Sequence, residues 1–189
     1  AASDVYKRQY QLDLNHSRFE SIVRTLIEKQ NELFRCDNTE KKKQLKDEIE
    51  SLRDMVIMSQ LEGCTPDKIQ RYHESKQMAS KPFVLWQLDF ARVFREKGGF
   101  DIVIGNPPYV DSEEMTRSMP EQRELYTQKY SCAKGNWDLF VLFIEKGMDL
   151  LAANTTISYI VPNKLISAPY TETLRKKMAK NRVVEIRDY

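Results

Sequence analysis

Two consecutive prolines, Pro107 and Pro108, constrain this chain more than any other pair of its residues. Each removes a backbone amide donor, and Pro108 also bars the residue before it from helical dihedrals, so no helix interior or central strand can pass through them. Immediately upstream, Phe100-Asp101-Ile102-Val103-Ile104 is a short apolar, β-branched run that predicts a buried strand, broken by Gly105. Asn106, Pro107, Pro108 and Tyr109 therefore form a rigid loop at a strand's carboxyl end. It presents the amide oxygen of Asn106, the carbonyl of Pro107 and the flat ring of Tyr109.

The surrounding sequence predicts what that strand belongs to. After Pro82 the chain becomes densely apolar through Phe83-Val84-Leu85-Trp86, Phe90, Val93 and Phe94, ending at Gly98-Gly99. Beyond the prolines, Asp111 to Asn136 reads as a polar loop. Leu139, Phe140, Phe143, Ile144, Met148 and Leu151 then have helical spacing within Trp137–Leu151. Thr155–Val161 is a β-branched strand stopped by Pro162, Leu174–Lys180 is helical, and Val183–Ile186 is strand-like again. Strand, helix, strand, helix, strand is the rhythm of an α/β sheet with crossover helices. Ligands of such sheets bind just beyond the carboxyl ends of strands, where residues 106–109 stand.

The first third differs. Phe19, Ile22, Val23, Leu26, Ile27, Leu33 and Phe34 draw one apolar helical face, and Leu45, Ile49, Leu52 and Val56 a second. The turn Arg35–Thr39 between them offers capping residues, so residues 10–62 are expected to form an antiparallel helical hairpin, a spacer or packing arm. The Lys41–Lys43 run falls largely off the second stripe and reads as a solvated face rather than a phosphate contact. Residues 63–81, with Pro66 and then Pro82, read as a linker with room for one short helix. Residues 1–9 join no later pattern and are expected to be non-native or without fixed structure.

Composition sets outer limits. The 30 basic and 28 acidic residues leave a net charge of +2, which neither identifies nor excludes a nucleic-acid binder, since a basic groove can sit in a nearly neutral chain. Cys36, Cys64 and Cys132 are isolated and have only His16 and His73 as imidazole partners, so no metal site is expected and free thiols in a reducing cytoplasm are. No apolar run approaches the roughly 20 residues that span a bilayer. The chain starts at Ala1 and stops at Tyr189 just after an apolar segment, so a longer parent protein is expected.

The groups of the proline loop match what methylation of an exocyclic amine requires. The adenine N6 lone pair is delocalised into the ring, which makes the nitrogen a poor nucleophile. Two acceptors on its hydrogens, Asn106 Oδ1 and the Pro107 carbonyl, would favour a pyramidal nitrogen with its lone pair aimed at the methyl group. A base in a duplex must first be extruded, and Tyr109 offers a surface on which it can stack. The competing reading of the four residues is an ordinary rigid turn.

The match extends beyond four residues. Phe100–Tyr109, FDIVIGNPPY, resembles the motif and its preceding strand in amino-methyltransferases that act on DNA. The similarity is greatest to the adenine-specific methylase parts of type I and single-chain type II restriction–modification enzymes. Asp138–Phe143 resembles the family's helix after the catalytic loop, and Ile157–Leu165, ISYIVPNKL, with Leu174-Arg175, resembles the next strand and helix. Residues 82–189 carry the likeness, including the approach segment Phe83–Phe94, and the helical hairpin before them resembles an insertion common in the single-chain enzymes.

The resemblance implies a partial Rossmann-like α/β sheet, forming the C-terminal half of a methyltransferase catalytic domain. It implies S-adenosylmethionine as methyl donor, double-stranded DNA with a flipped adenine as substrate, and a cytoplasmic setting. Asn106, Pro107, Pro108 and Tyr109 become the catalytic residues, and Leu139, Phe143 and Pro107 border the cofactor. At helical spacing Leu139 and Phe143 are also core residues. Asp138 is expected to cap its helix. Lys129, Lys134 and Asn136 are expected to be solvated loop residues rather than phosphate contacts.

A complete enzyme of that family also needs a glycine-rich turn and acidic residues to hold the cofactor's methionine and ribose, and none of the six glycines forms such a turn upstream of the proline loop. Those parts are expected before residue 1, and the DNA-reading part beyond Tyr189, so the isolated chain is expected to be inactive. None of these residues supplies a nuclease metal site. The alternatives are a methyltransferase acting on release-factor glutamine or on RNA through the same loop, and a non-enzymatic interaction module on a degenerate methyltransferase fold.

Overall fold

A computed structural model of the chain describes residues 16–61, 64–77 and 84–187. The expectation for residues 1–9 lies outside them. The chain divides into two compact units, with the break between Glu96 and Lys97.

The first unit is helical. Helices α1 (His16–Arg35) and α2 (Thr39–Leu61) pack on each other and are joined by Cys36–Asn38. Asn38 ends the turn by accepting the Lys41 amide on its side-chain oxygen at 2.9 Å, so α2 starts with one of its orphan amides satisfied. Ion pairs Lys29–Glu48 at 2.6 Å and Lys41–Glu32 at 2.7 Å tie residues of rising number on one helix to residues of falling number on the other, the antiparallel arrangement. Leu26, Leu45 and Val56 are buried. Phe34, counted on the apolar face from its spacing, is instead 92% exposed in the last turn of α1. Arg53 is buried and answered by Glu50 at 3.0 Å and Asp89 at 2.9 Å.

Helix α3 (Pro66–Gln77) fills most of the segment read as a linker, and buries none of its residues. It is attached to α2 through Asp54, which accepts from the Tyr72 hydroxyl and the Lys76 ammonium. Short helices α4 (Trp86–Asp89) and α5 (Ala91–Lys97) follow. Gln30 of α1 donates to the carbonyls of Leu88 and Asp89 at 2.8 and 3.2 Å, which places α4 with the hairpin.

The second unit contains a parallel pair, β1 (Phe100–Gly105) and β2 (Leu151–Tyr159). Phe100 pairs with Leu151, the register then slips, and a regular ladder runs from Ile102↔Thr156 to Gly105↔Tyr159. Asn154, inside the slip, takes a positive φ of 60°. The strand expected at Thr155–Val161 thus begins and ends earlier. Its regular pairing still starts at Thr156, and Ile160 adds one more amide bond, to the Gly105 carbonyl at 3.1 Å, before Pro162 denies the ladder a donor.

Between the strands lie α6 (Ser112–Ser118), α7 (Pro120–Lys129) and α8 (Phe140–Leu150). The polar loop expected over Asp111–Asn136 is corrected: most of it is helix. Asp111 caps α6 by accepting the Glu114 amide, and Pro120 occupies the first turn of α7, where a missing amide costs nothing. Met115 is fully buried, and Met119, Tyr126 and Tyr130 pack beside it. Most of the sparse apolar residues of this polar segment turn inward, Leu125 at 62% exposed being the exception.

Helices α9 (Lys164–Ser167) and α10 (Glu172–Met178), with a 3₁₀ turn at Pro169–Thr171, complete the unit. The core is one cluster, Met115, Cys132, Ala133, Trp137, Phe140, Val141, Leu142, Ile144 and Leu174. The last strand, expected at Val183–Ile186, does not form. No described strand pairs with it, and Val184 and Ile186 are 77% and 63% exposed. Strand propensity without a ladder partner leaves backbone groups unsatisfied and does not hold a strand. The observed α/β arrangement is thus a mixed helix–strand unit around a parallel pair, compatible with part of a methyltransferase sheet. No described helix is long and apolar enough to cross a membrane.

Candidate active site

The proline loop starts where β1 ends and is held at both ends by main-chain bonds. At its start, the Gly105 carbonyl accepts from Ile160 just past β2; at its exit, the Val110 carbonyl accepts from Leu139 at 2.9 Å. Between these anchors Pro107 is buried while Asn106, Pro108 and Tyr109 face outward. Asn106 makes no hydrogen bond to any described residue, so its amide oxygen is available to a ligand. The Tyr109 ring is 58% exposed, and its hydroxyl donates a long 3.4 Å bond to the Ile160 carbonyl. A rigid loop with one ring turned inward can thus offer an acceptor and an aromatic face without being supported by amides of its own.

The floor of the loop depends on two glycines. A Cβ on Gly105 would stand 2.3 Å from Cε1 of Tyr159, and one on Gly147 of α8 would stand 2.5 Å from the same residue's hydroxyl oxygen. The Tyr159 ring lies in the space that both leave. Burial raises the pKa of its phenol, so it is a neutral spacer between the strands and α8.

Asp138 does not cap α8, contrary to expectation. Leu139 occupies the cap position with no side-chain bond there, and the Asp138 carboxylate is turned elsewhere. It is buried and accepts from the Ser112 amide at 3.3 Å, the Lys164 ammonium at 3.2 Å and the Tyr170 hydroxyl at 2.7 Å. Burial, the bond to Asp138 and its negative charge together push the Tyr170 phenol well above its ordinary pKa, which keeps it a donor. Sequence spacing missed this cluster because its members are 26 and 32 positions apart. The local signal was an acidic residue just ahead of the apolar first turn of α8, Phe140-Val141-Leu142-Phe143.

Leu139 and Phe143, four apart, diverge. Leu139 is half-buried against the core, whereas Phe143 is 42% exposed and is not the core residue its spacing suggested. The inward face of α8 is taken by Phe140, Val141, Ile144 and Gly147. Phe143 thus leaves an uncovered aromatic ring on this helix. Pro107, by contrast, is buried. Lys129, Lys134 and Asn136 are all exposed, and the Lys129 ammonium lies 5.6 Å from the centre of the Tyr130 ring.

A second buried carboxylate, Glu145, braces the unit. It accepts from the Ser131 amide and hydroxyl, the Cys132 amide at 2.9 Å and the Lys177 ammonium at 3.2 Å. Burial alone would raise its pKa, but those bonds outweigh it and hold the carboxyl below the usual range. Burial and the Glu145 charge push the Cys132 thiol up to about 11, so it is an inert core residue rather than a nucleophile. Cys36, Cys64 and Cys132 are all unpaired thiols, and no cluster of metal-ligating side chains occurs among the described residues.

Comparison with known proteins joins this geometry to a family. Residues 4–189 match the Eco57I restriction-modification methylase family. The chain belongs to that family. Among curated relatives of this methylase chain, the type II restriction enzyme and methyltransferase RM.Eco57I of Escherichia coli is 34% identical over 83 residues, 44% of this chain and 8% of the relative. The type II methyltransferase M.BstVI of Geobacillus stearothermophilus is 31% identical over 99 residues, 52% of this chain and 16% of the relative. The type II methyltransferase M.TthHB8I of Thermus thermophilus is 30% identical over 108 residues, 55% of this chain and 23% of the relative. The matched stretches thus span under a quarter of each of these relatives. No solved structure matches.

Proposed function

We propose that this methylase chain carries the target-amine side of a DNA adenine N6-methyltransferase of a restriction–modification system. The observation that carries the reading is the doubly anchored loop, with Asn106 free of hydrogen-bond partners among the described residues and the Tyr109 ring open at the end of β1. Asn106 Oδ1 and the Pro107 carbonyl accept the two amino hydrogens of a flipped adenine, and Tyr109 stacks on its ring. Pro108 fixes the backbone between them. The methylated nitrogen sheds its extra proton to solvent rather than to a side chain of the loop, and the role of the four residues is alignment and electrostatic complementarity.

S-adenosylmethionine, when bound, supplies the electrophilic methyl group. Leu139, Phe143 and Pro107 border it in this reading, on a Rossmann-like sheet of which β1 and β2 are part. The matches cover 8% and 16% of two curated relatives; in this reading the grip on the cofactor's methionine and the DNA-reading part are assigned to other segments of the intact protein. The expected divisions, a hairpin at 10–62, a linker at 63–81 and the catalytic half at 82–189, and a cytoplasmic setting, are part of the same proposal.

Asn106→Ala in the intact methylase tests it. The expected loss of adenine methylation on duplex DNA is about 10²–10³-fold in kcat, the size seen when one preorganised polar group is removed from a transition state. Folding, followed by circular dichroism, should be unchanged. Full activity in the folded variant would refute the role of Asn106, and methylation of cytosine or of protein glutamine instead would refute the choice of substrate.

A further inference from the structure

The proline loop cannot hold itself in place. Pro107 and Pro108 have no amide hydrogens, so its geometry depends on bonds made beyond them. On the exit side two such bonds converge from adjacent residues of one segment. Leu139 donates its amide to the Val110 carbonyl at 2.9 Å, and Asp138 accepts the Ser112 amide at 3.3 Å. The same Asp138 carboxylate accepts from Lys164 and Tyr170, both in the segment that follows β2. It is 7% exposed, where a carboxylate persists only if it is well paired, and three donors from two stretches of chain pair it. Helix capping, the ordinary reason for an aspartate here, is not its role.

We propose that Asp138 is the positioning residue of the site. Its carboxylate ties the exit of the proline loop to the segment after β2 and so sets where Asn106 and Tyr109 stand; this rests on the reading of the loop given above. Lys164 and Tyr170 serve the clamp by fixing the carboxylate. The Tyr170 phenol, kept protonated beside that charge, donates the shortest of the three bonds. Asp138 touches neither base nor methyl donor, and its effect is on alignment.

The test uses the intact methylase with Asp138→Asn, which keeps the size of the side chain but removes its charge and one acceptor oxygen. Tyr170→Phe serves as a second variant that leaves Asp138 untouched. Amide hydrogen exchange is read at Ser112 and Leu139 and methylation kinetics are read on duplex DNA. In Asp138→Asn, exchange at both amides should quicken about tenfold as the local tether opens without global unfolding. kcat should fall about 10-fold to 100-fold, while KM for S-adenosylmethionine and for DNA stays within about twofold, because a misplaced reacting group costs rate rather than affinity. Tyr170→Phe should shift both readouts in the same direction by less.

Unchanged exchange at Ser112 in a folded variant would overturn the clamp. So would quickened exchange with unchanged kcat, or a loss of activity that merely tracks loss of folded protein. If Asp138→Asn does not fold, Tyr170→Phe decides by the same criteria. Wild-type protein that methylates no adenine would sink the functional reading instead, and exchange at Ser112 would still decide whether Asp138 holds the loop.

Discussion

The helical unit and the α/β unit are held together by different physics. In α1 and α2 the fully buried apolar residues are few, and much of the register is written in ion pairs such as Lys29–Glu48 and Lys41–Glu32. The Lys41–Glu32 hydrogen bond and charge raise the lysine's pKa and lower the glutamate's, but both groups are open to solvent and screened by salt. The α/β unit has a contiguous core around Trp137 and Phe140, and its carboxylates Asp138 and Glu145 are buried and saturated with donors. Exposed pairs choose an orientation. The helical unit has a buried charge too, Arg53 with Glu50 and Asp89, but the buried carboxylates that hold loops in place, Asp138 and Glu145, are in the unit of the candidate site.

The largest effect should come from the core that distinguishes the second unit. Trp137 is fully buried, with the Arg123 guanidinium 4.8 Å over its ring, so Trp137→Ala should cost about 3–5 kcal/mol in denaturant unfolding of the intact protein. A cost under about 1 kcal/mol, the range of an ordinary surface change, would erase the contrast.

A smaller effect concerns acid. Because the folded-state pKa of Glu145 lies below the ordinary glutamate value, the ionised carboxylate contributes stability that is fully present above that ordinary value. That stability is lost as pH falls through the lowered pKa. The α/β unit should therefore loosen on acidification below the usual carboxylate range, measured as a falling midpoint between neutral and acid pH. In Glu145→Gln that part of the slope should vanish. An identical slope in the variant would show that Glu145 is not the group responsible.

The smallest effect sharpens the other side. Phe34 is 92% exposed, so Phe34→Ser should change stability by no more than about 0.5 kcal/mol. A larger destabilisation would mean that the last turn of α1 is packed in the intact protein against something these residues do not include.

Much of the site was legible along the chain because it is local. β1, the break at Gly105 and the loop at 106–109 lie in ten consecutive residues, and proline chemistry acts on nearest neighbours. The hairpin helices were legible through helical periodicity. Less legible were α6 and α7, although Asp111 at the cap and Pro120 in a first turn were in plain view, because a polar segment with few apolar residues gives no periodic stripe. Phe143 was misjudged for a related reason. Spacing locates a helix face but does not say which flank of that face the rest of the fold covers.

The linear sequence by itself determined that a rigid, donor-poor loop ends an apolar strand and that this loop carries the amide side chain of Asn106 and the aromatic ring of Tyr109. Those properties are intrinsic to the residues and to their immediate order. Only the tertiary structure decided what holds that loop. Asp138 meets Ser112, Lys164 and Tyr170 across 26 to 32 positions, and Tyr159 fills the space left by Gly105 and Gly147. The fold likewise left Val183–Ile186 without a ladder partner among the described residues, whatever its strand propensity. Such contacts arise when distant segments share one core, and no local preference encodes which donor a buried carboxylate will find.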